Sequence, residues 1–330
     1  MTVNAKAVAA QPTEAVLVDL PSNPVPAGAR AGYFVTEDNV RLRYATWPRA
    51  AEGHRGTICL VHGRTEFIEK YFETIEDFRR RGFAVATFDW RGQGGSERLI
   101  GNPRHGHVER FSDYWLDLKS FHRHILLPEC PPPFYLVGHS MGGLASLFSV
   151  IEDRMMFDRV FLSAPMTGLP NQPLPPAGMA RLTKALCFLG LSQLPVSRPA
   201  DRIPSREAFE GNPLTSDFAR YMRTVDVYAA RPGLAIGPPT LGWAAAAFSA
   251  MAEAVRDDFP PRIRVPVLML VAARDKVVSG PVTEQLGLRM RTGRHVVIAG
   301  AQHELFMEND AIRAQVFAAF DAFITEQSGF

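Results

Sequence analysis

The chain is poor in cysteine, and its three residues, Cys59, Cys130 and Cys187, form no paired spacing. That scarcity excludes a disulfide framework and thiolate metal sites, and it suits a reducing compartment. One-sided charge is also missing: 36 Lys and Arg face 34 Asp and Glu, a formal charge of +2. A balanced chain offers no electrostatic footprint for nucleic acid. Local clusters such as Arg79-Arg80-Arg81 fall where a helix should end, and a helix C-terminus favours cations. No apolar run is long enough to span a membrane, and Met1-Thr2-Val3-Asn4-Ala5-Lys6 lacks the charged-then-apolar pattern of a secretory signal. The expectation is a cytoplasmic protein, with peripheral contact at the inner membrane surface left open. Internal repeats and low-complexity tracts are absent. So are His-Glu-x-x-His, paired cysteines and an Asp-rich loop, which leaves no expected metal. Gly92-Gln93-Gly94-Gly95 lacks the Lys-Ser/Thr of a phosphate loop and the glycine spacing of a dinucleotide fingerprint, so no cofactor is expected either.

What is present is alternation. After a polar stretch over 1–28, read as a loosely ordered extension, residues 32–47 suggest a hairpin turning at Glu37-Asp38-Asn39. Apolar strands follow at 57–61, 83–88, 134–137 and 160–163, separated by helical patterns at 68–81, 111–127 and 141–148. After Pro165 the alternation stops. The stretch 166–262 is rich in proline, with helical candidates at 179–189, 217–230 and 241–256. Strands then resume at 265–271 and 295–298, with helices at 282–289 and 310–324. Short apolar strands alternating with helices indicate an α/β fold with a mainly parallel sheet covered on both faces. The expected organisation is an extension at 1–28, a core at 29–165 and 263–330, and an inserted helical cap at 166–262 over the strand tops.

The chemistry centres on Gly138-His139-Ser140-Met141-Gly142, a G-x-S-x-G run between a strand and a helix. That context marks a nucleophile elbow, a tight turn that lifts the serine hydroxyl clear of the sheet. A serine hydroxyl needs a base, and the base an orienting acid. His303 is the candidate base, because Gly300-Ala301-Gln302-His303-Glu304 directly follows the last strand. His139 is expected to pack beneath the elbow, and His105, His107, His122 and His124 to be solvated. Asp275 follows the strand at 265–271 and gives the chain order Ser, Asp, His of this class of hydrolase. Asp89 also ends a strand, but its place before Trp90-Arg91-Gly92-Gln93-Gly94-Gly95-Ser96 reads as a structural carboxylate holding that loop. A developing oxyanion needs two fixed N–H donors. Met141, after the nucleophile, and Arg64, in His62-Gly63-Arg64-Thr65-Glu66, are the assigned backbone donors.

These pieces, together with Arg274-Asp275-Lys276-Val277-Val278 and His303-Glu304-Leu305, resemble the α/β-hydrolase superfamily. Within it they resemble the monoacylglycerol lipase and lysophospholipase L2 group of serine aminopeptidase S33-type hydrolases. The resemblance implies an α/β-hydrolase fold: an eight-stranded, mainly parallel sheet flanked by helices, with the cap inserted after strand 6. It also implies hydrolysis of an ester with one acyl chain, a lysophospholipid or a monoacylglycerol, through an acyl-enzyme on Ser140. Alternatives on the same scaffold are an acyltransferase, a small-ester, lactone or peptide hydrolase, and a catalytically silent ligand-binding protein. Arg64-Thr65-Glu66 replaces the small Ala-Gly of typical monoacylglycerol lipases and puts a cation near the pocket mouth. In the cap, 179–191 is apolar with two cations and has two readings, a lipid-facing lid at a membrane or packing on the sheet. Trp243, Phe248 and Met251 likewise read either as an acyl-pocket face or as core.

Overall fold

Runs of buried apolar residues build the centre of a sheet. In a computed structural model that describes residues 15–197 and 205–325, β3 (Thr57–Val61), β4 (Ala84–Phe88), β5 (Phe134–His139), β6 (Arg159–Ser163) and β7 (Val267–Ala272) are buried along their length, with only Tyr135 half-buried. Parallel strands covered on both faces need this uninterrupted burial. The expected hairpin is β1 (Arg30–Val35) and β2 (Arg41–Trp47), turning through Asn39 at φ 64°. With the edge strand β8 (Gly293–Ile298) the order is β1-β2-β4-β3-β5-β6-β7-β8, and β2 alone runs antiparallel to its neighbours.

Helices cover both faces. Before β6 run α1 (Phe72–Arg80), α2 (Ser112–Phe121), α3 (Leu127–Glu129) and α4 (Ser140–Glu152). Between β6 and β7 there are no strands among the described residues, only α5 (Pro176–Leu186), α6 (Phe218–Ala230), α7 (Leu241–Ala254) and short turns. Then follow α8 (Gly280–Arg289) and α9 (Asp310–Thr325). Phe83 and Phe88 lie five residues apart, so they face opposite sides. Phe88 meets Phe121 of α2 with ring centroids 4.7 Å apart, and Phe83 meets Phe320 of α9 at 5.7 Å. Among the described residues no helix is long and apolar enough to cross a membrane.

Two helices match their expected ends but change pitch on the way. The pattern over 111–127 is α2, a wide helical turn at His122–Leu126, and α3, which carries Pro128 in its first turn, where a missing N–H costs nothing. The pattern over 179–189 is α5 and a similar turn at Cys187–Leu191, broken at Gly190 with φ 82°.

The extension expected to be loose is fastened over 15–28, while residues 1–14 lie outside the described residues. Val18 N–H donates to Glu69 Oε1 (3.2 Å), Asn23 Nδ2 to the Glu69 carbonyl (2.8 Å), and Trp47 Nε1 to the Pro26 carbonyl (3.1 Å). Isolated polar periodicity gave no sign of these partners, because all of them lie further along the chain.

Glu69 also belongs to a buried ionic knot. Arg43 donates to both Glu69 oxygens (2.7 Å each) and to Asp89 Oδ2 (2.6 Å). Asp89 in turn accepts from Gly95 N–H (2.7 Å) and Ile68 N–H (3.0 Å), the loop-holding role read from its sequence position. Burial, the largest influence, would raise the Asp89 carboxyl, but Arg43, His62 and the Gly95 N–H together outweigh it and hold the group at about 2. Arg43→Met strands two carboxylates in the interior, and breaking such a pair costs about 3–5 kcal/mol. Urea unfolding should show a loss of that size, and an unchanged midpoint would refute a structural role for the knot.

Candidate active site

The elbow is built by close approach. Ser140 sits at φ 51°, a left-handed conformation that costs a non-glycine residue energy and needs support from its surroundings. Support comes from contacts only glycine permits. A Cβ on Gly142 would lie 2.4 Å from the His62 carbonyl oxygen, and one on Gly138 2.7 Å from Ser146 Oγ. The start of α4 is thereby pressed against the end of β3. Ser140 is buried to 8% exposure, and its hydroxyl faces a cavity of about 250 Å³.

The structure brings the sequence candidates together. His303 Nε2 lies 3.0 Å from Ser140 Oγ, and His303 Nδ1 lies 2.8 Å from Asp275 Oδ2. Asp275 Oδ1 accepts the N–H groups of Val277 (2.8 Å) and Val278 (2.9 Å), which fixes the carboxylate on the turn after β7. Burial raises the Asp275 carboxyl, yet His303 and these donors hold it below its ordinary value. Asp275 therefore keeps its charge to a lower pH than a free carboxyl would. With a proton on Nδ1 facing Asp275, Nε2 can accept the serine proton.

His139 packs beneath the elbow as expected, with Nδ1 3.1 Å from the Ser163 carbonyl oxygen and its ring 4.8 Å from that of His303. Burial lowers its pKa to about 3 against the opposing charge of Glu66, so no second cation forms beside the base. His107, expected on the solvated surface, is buried and lies 2.8 Å from Thr240 Oγ1. The reason is tertiary: the chain before α7 lies across the 104–107 loop, with Gly237 N–H on the Arg104 carbonyl (2.5 Å) and Thr240 N–H on that of Gly106 (3.0 Å).

In the loop after β3, Gly63 N–H is taken by Glu66 Oε2 (2.5 Å) and Thr65 N–H by Gln93 Oε1 (2.8 Å). Arg64 N–H, between them, is left without an acceptor among the described residues. Met141 N–H, in the first turn of α4, faces the same problem as every helix start: it has no carbonyl one turn back. The loop that carries Arg64 lies against the elbow that carries Met141, since a Cβ on Gly63 would fall 3.1 Å from Ser140 Cβ.

Sequence reasoning missed the ionic support of this loop. Lys70 Nζ bridges Glu66 (2.7 Å) and Glu304 (2.5 Å), and Tyr71 Oη donates to Glu66 (2.8 Å). Burial disfavours charge on all three, but the two carboxylates raise Lys70, and Lys70 holds Glu66 well below its ordinary value. Glu304 moves the other way, raised by burial and by the nearby Glu66 charge despite Lys70. The four-residue spacing of Glu66 and Lys70 was a readable signal; their meeting with Glu304 was not. A further clamp joins the 214–216 segment to the loop bearing His303: Glu304 N–H donates to the Leu214 carbonyl (2.8 Å), Thr215 Oγ1 to the Met307 carbonyl (2.6 Å), and Ser216 to Glu308.

The cavity at Ser140 has an apolar lining of Met166, Leu169, Leu214, Trp243, Val277 and Val278. Of the possible acyl-pocket face on α7, only Trp243 reaches it, and Phe248 and Met251 sit in the main core. Five residues turn a helix by about 140°, so a spacing of five carries Phe248 away from the Trp243 side. A larger cavity of about 690 Å³ lies between α2, α5 and α7, but it contains none of Ser140, Asp275 and His303. Gly142→Ala should push the elbow off His62 and slow fluorophosphonate labelling of Ser140 about a hundredfold. Labelling at the wild-type rate would show that the close approach is dispensable.

Comparison with known proteins gives the family and the fold. The serine aminopeptidase, S33, family model matches residues 52–310. A lysophospholipase L2 from Escherichia coli (strain K12) is 30% identical over 310 residues, covering 89% of this chain and 87% of the relative. A probable lysophospholipase L2 from Haemophilus influenzae is 27% identical, covering 90% and 92%. In fold, a soluble variant of monoglyceride lipase from Saccharomyces cerevisiae matches with a TM-score of 0.70 at 17% identity, over 91% of this chain and 96% of that one. A carboxyl esterase from Bacillus coagulans matches at 0.71 and 18%, over 91% and 98%. The chain belongs to the serine aminopeptidase, S33, family and is a serine hydrolase of the α/β-hydrolase fold.

Proposed function

We propose that the chain hydrolyses the carboxylic ester of a monoacyl lipid, a lysophospholipid or a monoacylglycerol, through an acyl-enzyme on Ser140. The observation that carries this reading is the unbroken hydrogen-bonded run from Ser140 through His303 to Asp275, opening into an apolar cavity. Ser140 Oγ attacks the acyl carbonyl as His303 Nε2 takes its proton, and Asp275 holds the imidazole in the tautomer that can accept it. The N–H groups of Arg64 and Met141 stabilise the oxyanion. His303 then protonates the leaving alcohol, and a water activated by the same imidazole releases the fatty acid. The apolar lining suits an acyl chain, and relatives named lysophospholipase support a lipid ester.

In this reading 29–165 and 263–330 form the catalytic core, 15–28 straps it, and 166–262 is a cap over Ser140 that touches a lipid surface. Phe188 is 91% exposed and Leu189 69%, on the turn after α5, with Arg181 and Lys184 beside them. Apolar tips flanked by cations suit the boundary of an anionic bilayer.

Labelling by a fluorophosphonate should be complete in the wild type and absent in Ser140→Ala. His303→Ala should lower turnover of a monoacyl lipid at least about a thousandfold. Undiminished labelling of Ser140→Ala would remove the nucleophile, and no labelling of either protein would indicate a silent ligand-binding fold. Phe188→Glu combined with Leu189→Glu should weaken binding to phosphatidylglycerol vesicles about tenfold or more. Hydrolysis of a monomeric short-chain ester should be unaffected; equal vesicle binding would place any membrane contact elsewhere.

A further inference from the structure

The loop after β3 holds a cation that ester hydrolysis itself does not use. Arg64 lines the cavity at Ser140, donates from Nη2 to the Gly237 carbonyl, and has its guanidinium 5.2 Å from the Trp243 ring centroid. Its Nε is buried without an acceptor among the described residues. Among the described residues no carboxylate pairs with it; burial lowers this half-buried residue's guanidinium to about 10, and only the hydroxyls of Tyr114 and Tyr228 oppose that.

The contrast with other buried arginines is sharp. Arg43 has Glu69 and Asp89, Arg91 has Asp38 and Asp117, and Arg220 has Glu73, Asp217 and Asp310. An interior cation without a counter-ion is a poor use of a site, and a ring contact compensates only in part. Nor can the acidic residues of the cavity supply the missing charge. Glu66 and Glu304 are committed to Lys70, and Asp275 to His303. What remains is one unneutralised guanidinium with a free Nε–H, carried by the residue whose backbone N–H faces the oxyanion. A planar guanidinium fork matches the oxygens of a phosphate.

We infer that Arg64 is a specificity-determining residue that binds the phosphodiester of the substrate's head group, so the substrates are lysophospholipids in preference to neutral monoacylglycerols. The inference rests on the ester-hydrolase reading above and narrows it. An anionic head group supplies the counter-ion that the protein withholds, and a glycerol head leaves the guanidinium unpaired.

The test compares lysophosphatidylglycerol with a 1-monoacylglycerol of the same short acyl chain, both below their micelle concentrations. The wild type should favour the phosphodiester. In Arg64→Gln the ratio of kcat/KM for the phosphodiester over the glyceride should fall about ten- to hundredfold, mainly through KM for the phosphodiester, with partial rescue in Arg64→Lys. A ratio equal to that of the wild type overturns the inference while the ester-hydrolase reading stands. A wild type that cleaves neither lipid sinks that reading itself. If Arg64→Gln fails to fold, inhibition of the wild type decides: an ether analogue of the lysophospholipid should bind at least about tenfold tighter than the matching 1-O-alkylglycerol. Equal inhibition by the two overturns the assignment.

Discussion

Everything at the site depends on how closely the start of α4 approaches the end of β3. The contact is between backbones, with the Gly142 α-carbon against the carbonyls of Val61 and His62. It keeps Ser140 in its strained conformation, and it sets the N–H of Met141 next to the loop that carries Arg64. In the proposed mechanism the nucleophile and the oxyanion donors are therefore positioned by main chain rather than by flexible side chains. Such a site needs no reorganisation when charge develops on the substrate, which is where preorganised donors gain their advantage.

Side chains enter one layer down. The loop after β3 is held by Glu66, whose oxygens are divided among Gly63 N–H, Tyr71 and Lys70. Tyr228 of α6 adds a bond to the Thr65 carbonyl (2.7 Å), and Gln93 takes Thr65 N–H (2.8 Å). Lys70 reaches across to Glu304, so the oxyanion loop and the residue after the base share one buried ammonium. Neutral His139 completes the floor. The electrostatic outcome is that no second imidazolium stands beneath the Asp275–His303 pair.

Much of this was legible in the sequence, for a physical reason. Strands buried on both faces have to be uniformly apolar, so β3 to β7 announce themselves, and turns at their ends are short enough that Ser140, Asp275 and His303 could be placed by position alone. Asp89 was readable as a structural carboxylate because a glycine-rich loop, Gly92-Gln93-Gly94-Gly95, begins three residues after it. The rest depends on partners remote in sequence. Lys70 and Glu304 are 234 residues apart, and no local pattern joins them. Arg43 looks like an ordinary residue of a hairpin until Glu69 and Asp89 are seen to surround it. The strap at 15–28 and the burial of His107 have the same origin: both are secured by segments met only after folding. What the period did not show is the change of pitch inside two helices, at His122–Leu126 and Cys187–Leu191.

The clamp between 214–216 and the loop bearing His303 gives the pocket two walls of different character. The Leu214 wall is bonded to the stretch that carries the imidazole, so it cannot swing outward without drawing the base from Ser140. The wall formed by Leu169 and Trp243 is tied elsewhere, the Gly168 carbonyl to Ser279 N–H (2.9 Å) and Trp243 Nε1 to Tyr114 Oη (2.9 Å). A ligand too wide on the Leu214 side would thus uncouple the catalytic pair by its own bulk. Shape is thereby proofread at the moment of binding, by a wall that doubles as a latch.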